Sequence, residues 1–572
     1  MTTWNKSVDF LVIGSGAAGM TAAVRAHDLG GETLVVEKAP HYGGTTAVSG
    51  GVVWVPNNPL MQQLGISDSP EEALQYLETI TRGTSTTERL RTYIDTGPHM
   101  MRFMLDNTRV EFACLNDYPD YYPEVQGGKM GGRSCEPVLF DALQLRNEFQ
   151  RMHPRPPEKQ VPLGGRVLFG AADGHKILTG EISVAWFMIK GLISYYTNFR
   201  ARRLGPVHTG LTLGAALIGR LRLSLMDRAV PLWLSTPLKE LFTEGDRVVG
   251  ALVEKDGEPF RIEARKGVLV SAGGFEGSAE KRQQYQRAPT SEKWTGGSPF
   301  NTGDTIDLGV AVGASLDLMD DAWWCPCVVA PYPDWSPAWI MIFEKNSPGS
   351  LIVNRAGKRF MNEAATYNDV VKNMYRANTP DNPTIPAHFV FDKSYRKNRS
   401  CGPMLPIPDA LLPKKLQNGF YKKDGTLEGL ARKIGVDPEG LVDTVRRYNR
   451  FAETGKDEDF GRGESPQDLY YAGKSDLPNP SVGPVAKPPF YAVEIYPGDL
   501  GTKGGFRTDS RARVLTEADE PIPGLYAAGN CSAAVMGRTY PGAGATIGPA
   551  MTFGFIAAEH ALGDGPAART GG

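Results

Sequence analysis

The chain has 572 residues, 41% of them hydrophobic and 22% charged, with a formal net charge of -2. That length exceeds one ordinary hydrophobic core and predicts two or three domains of a globular protein. So small a net charge excludes nucleic acid as the main partner, because nothing would broadly neutralise phosphates.

Six cysteines (Cys114, Cys135, Cys325, Cys327, Cys401, Cys531) are scattered without a Cys-x-x-Cys. Zinc, redox dithiol and disulfide-framework readings are therefore poor, no metal is expected, and a reducing, cytoplasmic compartment fits. A strand begins almost at once, so no signal peptide is expected. No run reaches the ~18–20 apolar residues of a spanning helix.

Asp9 opens the stretch, and the apolar run Phe10 to Ile13 leads into Gly14-Ser15-Gly16-Ala17-Ala18-Gly19, then a helix of small residues. In this strand–turn–helix, Gly14 permits the turn, Gly16 lets backbone approach a pyrophosphate, and Gly19 lets helix lie close to strand. A second strand, Thr33 to Val36, ends in Glu37, placed to hold a ribose hydroxyl of a dinucleotide. Lys38 follows, then a loop of glycine pairs and small hydroxyl residues: Gly43, Gly44, Thr45, Thr46, Ser49, Gly50 and Gly51. Its backbone can wrap a flat polar ligand closely. Glu37, Gly43, Gly44, Thr45 and Thr46 match a pattern of the flavin-dependent fumarate reductase/succinate dehydrogenase-like superfamily, which the chain resembles. The resemblance implies FAD as cofactor.

Ser69 to Asn107 reads as two helices, the first opened by Pro70-Glu71-Glu72 after Ser69. An aromatic cluster, Tyr118-Pro119-Asp120-Tyr121-Tyr122-Pro123, comes next. From about 160 to 223 the chain looks like an insert, with an apolar helix-like run from Ile182 to Tyr196. Arg200, Arg202, Arg203, Arg220 and Arg222 flank that run and the next. Two readings stand open: a buried helical hairpin, or a surface helix pair on a membrane, where Trp and Tyr with flanking Arg suit the headgroup interface.

Arg247 to Val253 and Phe260 to Ala264 flank Asp256-Gly257, a hairpin signal. Lys266 to Ser271 then reads as a strand ending in Ala272-Gly273-Gly274-Phe275, similar to a second cofactor-contacting segment of the same superfamily. No second nucleotide turn appears, so a resident nicotinamide is not expected. Leu525 to Gly529 with Asn530, and a helix start near Ala545 that includes Gly544 and Ile547, should return the C-terminus to the flavin. The expected fold is α/β: a discontinuous Rossmann-type FAD-binding domain (1–160, 224–293, 485–572), a helical insert (161–223), and an α+β catalytic cap domain (294–484).

Dicarboxylate reductases of this superfamily carry His-Thr-x-Gly-Gly and Arg-Leu-Gly-Gly as carboxylate grips. Here those places read Gly501-Thr502-Lys503-Gly504-Gly505 and Tyr540-Pro541-Gly542-Ala543-Gly544, so both grips are missing. Tyr-Pro-Gly-x-Gly instead resembles the 3-ketosteroid Δ1-dehydrogenases. So do Pro119 to Tyr122, Asp321 to Trp324, Phe360-Met361-Asn362-Glu363 with Tyr367, and Asp499 to Gly505. The resemblance implies that Tyr540 and the Gly544 N–H bind a steroid 3-keto oxygen as an oxyanion hole. It makes Tyr367 the base for carbon 2, with Tyr121 and Tyr118 supporting the tyrosinate, and sends hydride from carbon 1 to FAD. A phenol of ordinary pKa near 10 needs such support at neutral pH.

Each tyrosine also has a plain reading as a half-buried aromatic with a satisfied hydroxyl. Trp323 and Trp324 read as core or pocket wall. The implied partners are a 3-ketosteroid, a quinone or other electron acceptor, and, on the surface-helix reading, the cytoplasmic face of a membrane. The rivals are a 3-ketosteroid Δ4(5α)-dehydrogenase and a non-enzymatic flavin redox sensor.

Overall fold

The computed structural model describes residues 3–154, 166–178, 182–199, 208–332, 338–473 and 475–563. Strand β1 (Lys6–Ile13), helix α1 (Ala17–Asp28) and β2 (Thr33–Val36) form the expected nucleotide unit. Both strands end in buried apolar runs, as parallel strands covered on two faces require. The stretch after Glu37, expected as a loop, contains a short helix, α2 (Gly44–Val48). Two helices follow, α3 (Pro70–Thr81) and α4 (Thr87–Asn107). Ser69 caps α3, its hydroxyl accepting from Glu72 N–H at 3.2 Å.

In the insert lie α5 (Ala171–Leu178) and α6 (Val184–Thr197). Its last run, α7 (Leu213–Asp227), is buried in the core beside α1. Arg220 and Arg222 are consequently turned inward, away from any headgroup role. Arg220 donates to the carbonyls of Arg109 (2.7 Å) and Leu139 (3.1 Å), and Arg222 pairs with Glu148 at 2.8 Å. Arg200, Arg202 and Arg203 lie outside the described residues.

Strands β3 (Leu232–Trp233), β4 (Leu238–Glu244), β5 (Arg247–Lys255) and β6 (Glu258–Val270) follow. The second arm of the expected hairpin and the strand toward Ala272 are one continuous element, β6. Its first half pairs antiparallel with β5 and its length runs parallel to β1. Later come β7 (Ala322–Trp324), β8 (Ser350–Val353), α8 (Tyr367–Ala377), β9 (Ala387–Phe391), β10 (Lys422–Asp424), β11 (Phe490–Ile495) and β12 (Asp499–Thr502). The chain closes with β13 (Arg513–Leu515), β14 (Pro521–Ala527) and α9 (Ile547–Leu562).

The main sheet runs β13-β14-β6-β1-β2-β3, with β5 and β4 extending from β6. Early, middle and late parts of the chain thus share one sheet. One core on its face gathers α1, α7, α9 and the tyrosines; a second lies among Val8, Leu11, Leu34 and Phe506. A separate antiparallel sheet, β8-β9-β11-β10, has its own two cores. Between the two sheets in sequence, β12 pairs with β7. Among the described residues no helix is long and apolar enough to cross a membrane.

Candidate active site

The nucleotide turn is built as the glycine spacing demands. Gly14 takes φ +103 and a Cβ on Gly19 would sit 2.1 Å from the Gly14 carbonyl oxygen, so neither tolerates a side chain. Gly16 differs: a Cβ there would meet only Thr46 Oγ1, at 3.7 Å. The protein's own packing does not need glycine at that place, but a pyrophosphate approaching the backbone would.

Glu37 accepts from Ser15 N–H (3.0 Å) and Ser15 Oγ (2.6 Å) on one oxygen and from Ala39 N–H (2.9 Å) on the other. The oxygen that accepts from Ala39 keeps a further acceptor position for a ribose hydroxyl. Ser15 Oγ also accepts from Gly43 N–H at 3.0 Å, and Thr46 Oγ1 from Ala17 N–H at 3.3 Å, tying the 43–51 stretch to the turn. Thr45 Oγ1 accepts from Ser298 N–H and Asn301 Nδ2. Lys38 is committed elsewhere, to Asp304 and Thr302, both at 2.8 Å. A cleft between the end of β14 and the start of α9 is lined by Trp323, Gly529, Asn530, Ala545 and Thr546. The residues fit a flavin dinucleotide. Gly14 to Gly19, Glu37, the 43–51 stretch, Ala272 to Gly274, Gly529, Asn530 and Ile547 would hold it.

Beside this cradle three tyrosines from distant parts of the chain meet. The ring centroids of Tyr121, Tyr367 and Tyr540 lie 5.2–5.3 Å apart in each pair. The Tyr121 and Tyr367 hydroxyls share a 2.5 Å hydrogen bond, and Tyr540 Oη lies 3.1 Å from Thr546 Oγ1. Tyr367 is the first residue of α8, capped by Thr366, whose side chain accepts from Asp369 N–H. Tyr121 is anchored through its N–H to the Pro541 carbonyl (2.9 Å), which Tyr76 also holds at 2.6 Å. Gly544 has φ +95, and a Cβ would stand 2.6 Å from backbone atoms of Val52 and Val53. Its N–H donates to no acceptor among the described residues.

Burial pushes the Tyr367, Tyr121 and Tyr540 phenols above their ordinary value. For Tyr367 the hydrogen bond from Tyr121 acts in the opposite direction, and for Tyr540 those of Thr546 and Tyr367 do. Tyr118 stands one step out, hydrogen-bonded to the Tyr471 hydroxyl and stacked on Tyr470 at 4.6 Å. Burial pushes it up to about 12, while bonds to Tyr471 and Tyr121 oppose the rise.

One contributor has no sequence signal of its own. Tyr471 extends the hydroxyl chain, but Tyr470-Tyr471 reads as an ordinary aromatic pair. Trp323 packs edge-on against Tyr540 at 4.8 Å and donates its indole N–H to Asn530 at 3.1 Å, joining pocket wall to cofactor cradle. Asp120, next to Tyr121, is pinned by Trp54 Nε1 (2.7 Å) and Arg133 (2.8 Å), all buried.

Dinucleotide cradle, discontinuous sheet and cap define an FAD-dependent flavoprotein. The FAD binding domain family matches residues 9–547. A 3-oxosteroid 1-dehydrogenase of Mycolicibacterium smegmatis is 43% identical over 98% of both chains. One of Mycobacterium tuberculosis is 44% identical over 96% of this chain and 98% of the relative. A crystal structure of 3-ketosteroid Δ1-dehydrogenase from Sterolibacterium denitrificans, in complex with 1,4-androstadiene-3,17-dione, matches with TM-score 0.93 and 43% identity, covering 98% of this chain and all of that one. The chain belongs to the FAD-binding family that includes the 3-oxosteroid 1-dehydrogenases, and its cofactor is FAD.

Proposed function

We propose that the protein is an FAD-dependent dehydrogenase that introduces the 1,2 double bond into 3-ketosteroids. One observation carries this: the Tyr540 phenol packs against the hydrogen-bonded pair Tyr121–Tyr367, four residues before the unengaged Gly544 N–H. Tyr540 O–H and Gly544 N–H hold the 3-keto oxygen, and as negative charge gathers there their hydrogen bonds strengthen. That polarisation acidifies carbon 2, whose proton Tyr367 takes. Tyr121 donates to the developing tyrosinate, and Tyr118 with Tyr471 extends the hydroxyl chain behind it. Bound FAD supplies the acceptor for the hydride that leaves carbon 1. Burial of all five tyrosines excludes water from the reacting carbons.

Anaerobic mixing with 4-androstene-3,17-dione tests the reading. Bleaching of the flavin and a product two hydrogens lighter, with a 1,4-dienone ultraviolet spectrum, is expected. No bleaching, or a double bond introduced elsewhere, would overturn it.

The exposed face of α6 favours peripheral membrane association as part of the same function. Trp186, Ile189, Ile193 and Tyr196 are each at least half exposed and recur at helical spacing. A cavity of about 630 Å³ lined by His175, Leu469 and Tyr470 lies beside the insert. Tyr470 stacks between His175 (4.1 Å) and Tyr118, linking α5 to the tyrosines. A lipophilic steroid would reach them from the lipid side, and a quinone would accept the electrons there. Sedimentation with anionic vesicles, abolished by Trp186→Asp with Ile193→Asp, is expected; full-length protein that never sediments would refute the association.

A further inference from the structure

Lys503 lies two residues after Gly501, the position at which dicarboxylate-reducing relatives carry the histidine of a carboxylate grip. It is fully buried directly after β12. Its Nζ donates to the carbonyls of Gly537 (3.1 Å) and Thr539 (2.5 Å) and lies 4.5 Å from the ring centre of Trp323, the indole packed on Tyr540. Residues 539–541 belong to no helix or strand, so carbonyl partners rather than a ladder hold the segment that presents Tyr540. Those partners are complete on both sides. Lys372, from the helix that begins with Tyr367, donates to the Arg538 carbonyl, and Tyr76 with the Tyr121 N–H holds that of Pro541.

We propose that Lys503 is a positioning residue for Tyr540: by clamping the Gly537 and Thr539 carbonyls under Trp323 it fixes where the phenol points. The proposal rests on the reading of Tyr540 as the group that holds the substrate ketone. Burying an amine is costly and is repaid only when its donors find acceptors, as they do here. Burial lowers the ammonium to about 7, opposed by Asp321 and Asp369 and reinforced by Lys372 and Arg538. Even the neutral amine keeps N–H donors for both carbonyls, so the clamp survives either protonation state.

Lys503→Met keeps the side chain's bulk and removes the donors. Released by a fraction of an ångström to an ångström, Tyr540 should lose roughly a hundredfold in kcat/KM. The test is a double-mutant cycle on the holoenzyme with Tyr540→Phe, using 4-androstene-3,17-dione, with flavin content and melting temperature recorded for every variant. Flavin content should be unchanged. In the Tyr540→Phe background Lys503→Met should change kcat/KM only within about twofold, because the group it positions is gone. Lys503→Gln, which retains an NH2 group on a shorter side chain, should recover part of the loss and serves if Lys503→Met does not fold. An equal loss in both backgrounds, or no loss at all, overturns the clamp while leaving Tyr540's role standing. Tyr540→Phe with unimpaired turnover would instead overturn the reading of Tyr540, and the clamp's function with it.

Discussion

If Tyr367 is the base, the rate must follow its ionisation, and Tyr121 is the lever on it. The deprotonated phenol is the active form; burial raises its pKa and the 2.5 Å hydrogen bond from Tyr121 pulls the other way. With a phenol at or above about 10, no more than about a thousandth is tyrosinate at pH 7, so log kcat/KM should climb with unit slope through about pH 9. A hydrogen bond to a charged group contributes about 1.5–3 kcal/mol. Dividing by 1.36 kcal/mol per unit, Tyr121→Phe should move the basic limb up by about one to two units. At pH 7 the variant is then about 10- to 100-fold slower, and the gap closes only at pH values where both limbs have flattened. The assay is initial-rate turnover of 4-androstene-3,17-dione across pH with an artificial electron acceptor, melting temperature controlling for fold. A Tyr121→Phe deficit that stays the same where both profiles are flat would refute the reasoning. So would a wild-type plateau already reached by about pH 8.

Other perturbations follow from the same geometry. Gly544→Ala puts a Cβ 2.6 Å from Val52 and Val53 backbone at φ +95, so turnover should fall by at least about 10²-fold with a lower melting temperature; near-normal activity would remove the glycine from the site. Gly16→Ala should leave apoprotein melting unchanged but lower bound flavin, whereas Gly19→Ala, 2.1 Å from the Gly14 oxygen, should impair folding itself; flavin absorbance and thermal scans separate the two. Arg133→Met strands Asp68 and Asp120, which it now pairs at 2.7 and 2.8 Å in the interior, and should cost about 3–5 kcal/mol in urea unfolding.

Much of the cofactor cradle is legible because its information is local. A strand, a glycine turn, a helix and an acid at the right spacing have few other uses, and Glu37 ends up fastened to Ser15 of the turn. The α6 helix was legible from its apolar run for the same reason. The motif Tyr-Pro-Gly-x-Gly identified Tyr540 and Gly544 through resemblance rather than geometry. What covers a helix is not local: α6 and α7 read as similar apolar runs, yet one exposes Trp186 and the other buries Arg220.

From its sequence alone, then, the protein's nucleotide-binding unit and the candidate tyrosines could be named, since turn geometry and side-chain chemistry are properties of neighbouring residues. Only the tertiary structure decided that Tyr121 and Tyr367, 246 residues apart, share a hydrogen bond, that Tyr471 joins Tyr118, and that Lys503 turns to the Gly537 and Thr539 carbonyls. The reason is physical: in a closed interior nearly every buried donor finds an acceptor, and which one it finds depends on what the rest of the fold brings within about 3 Å.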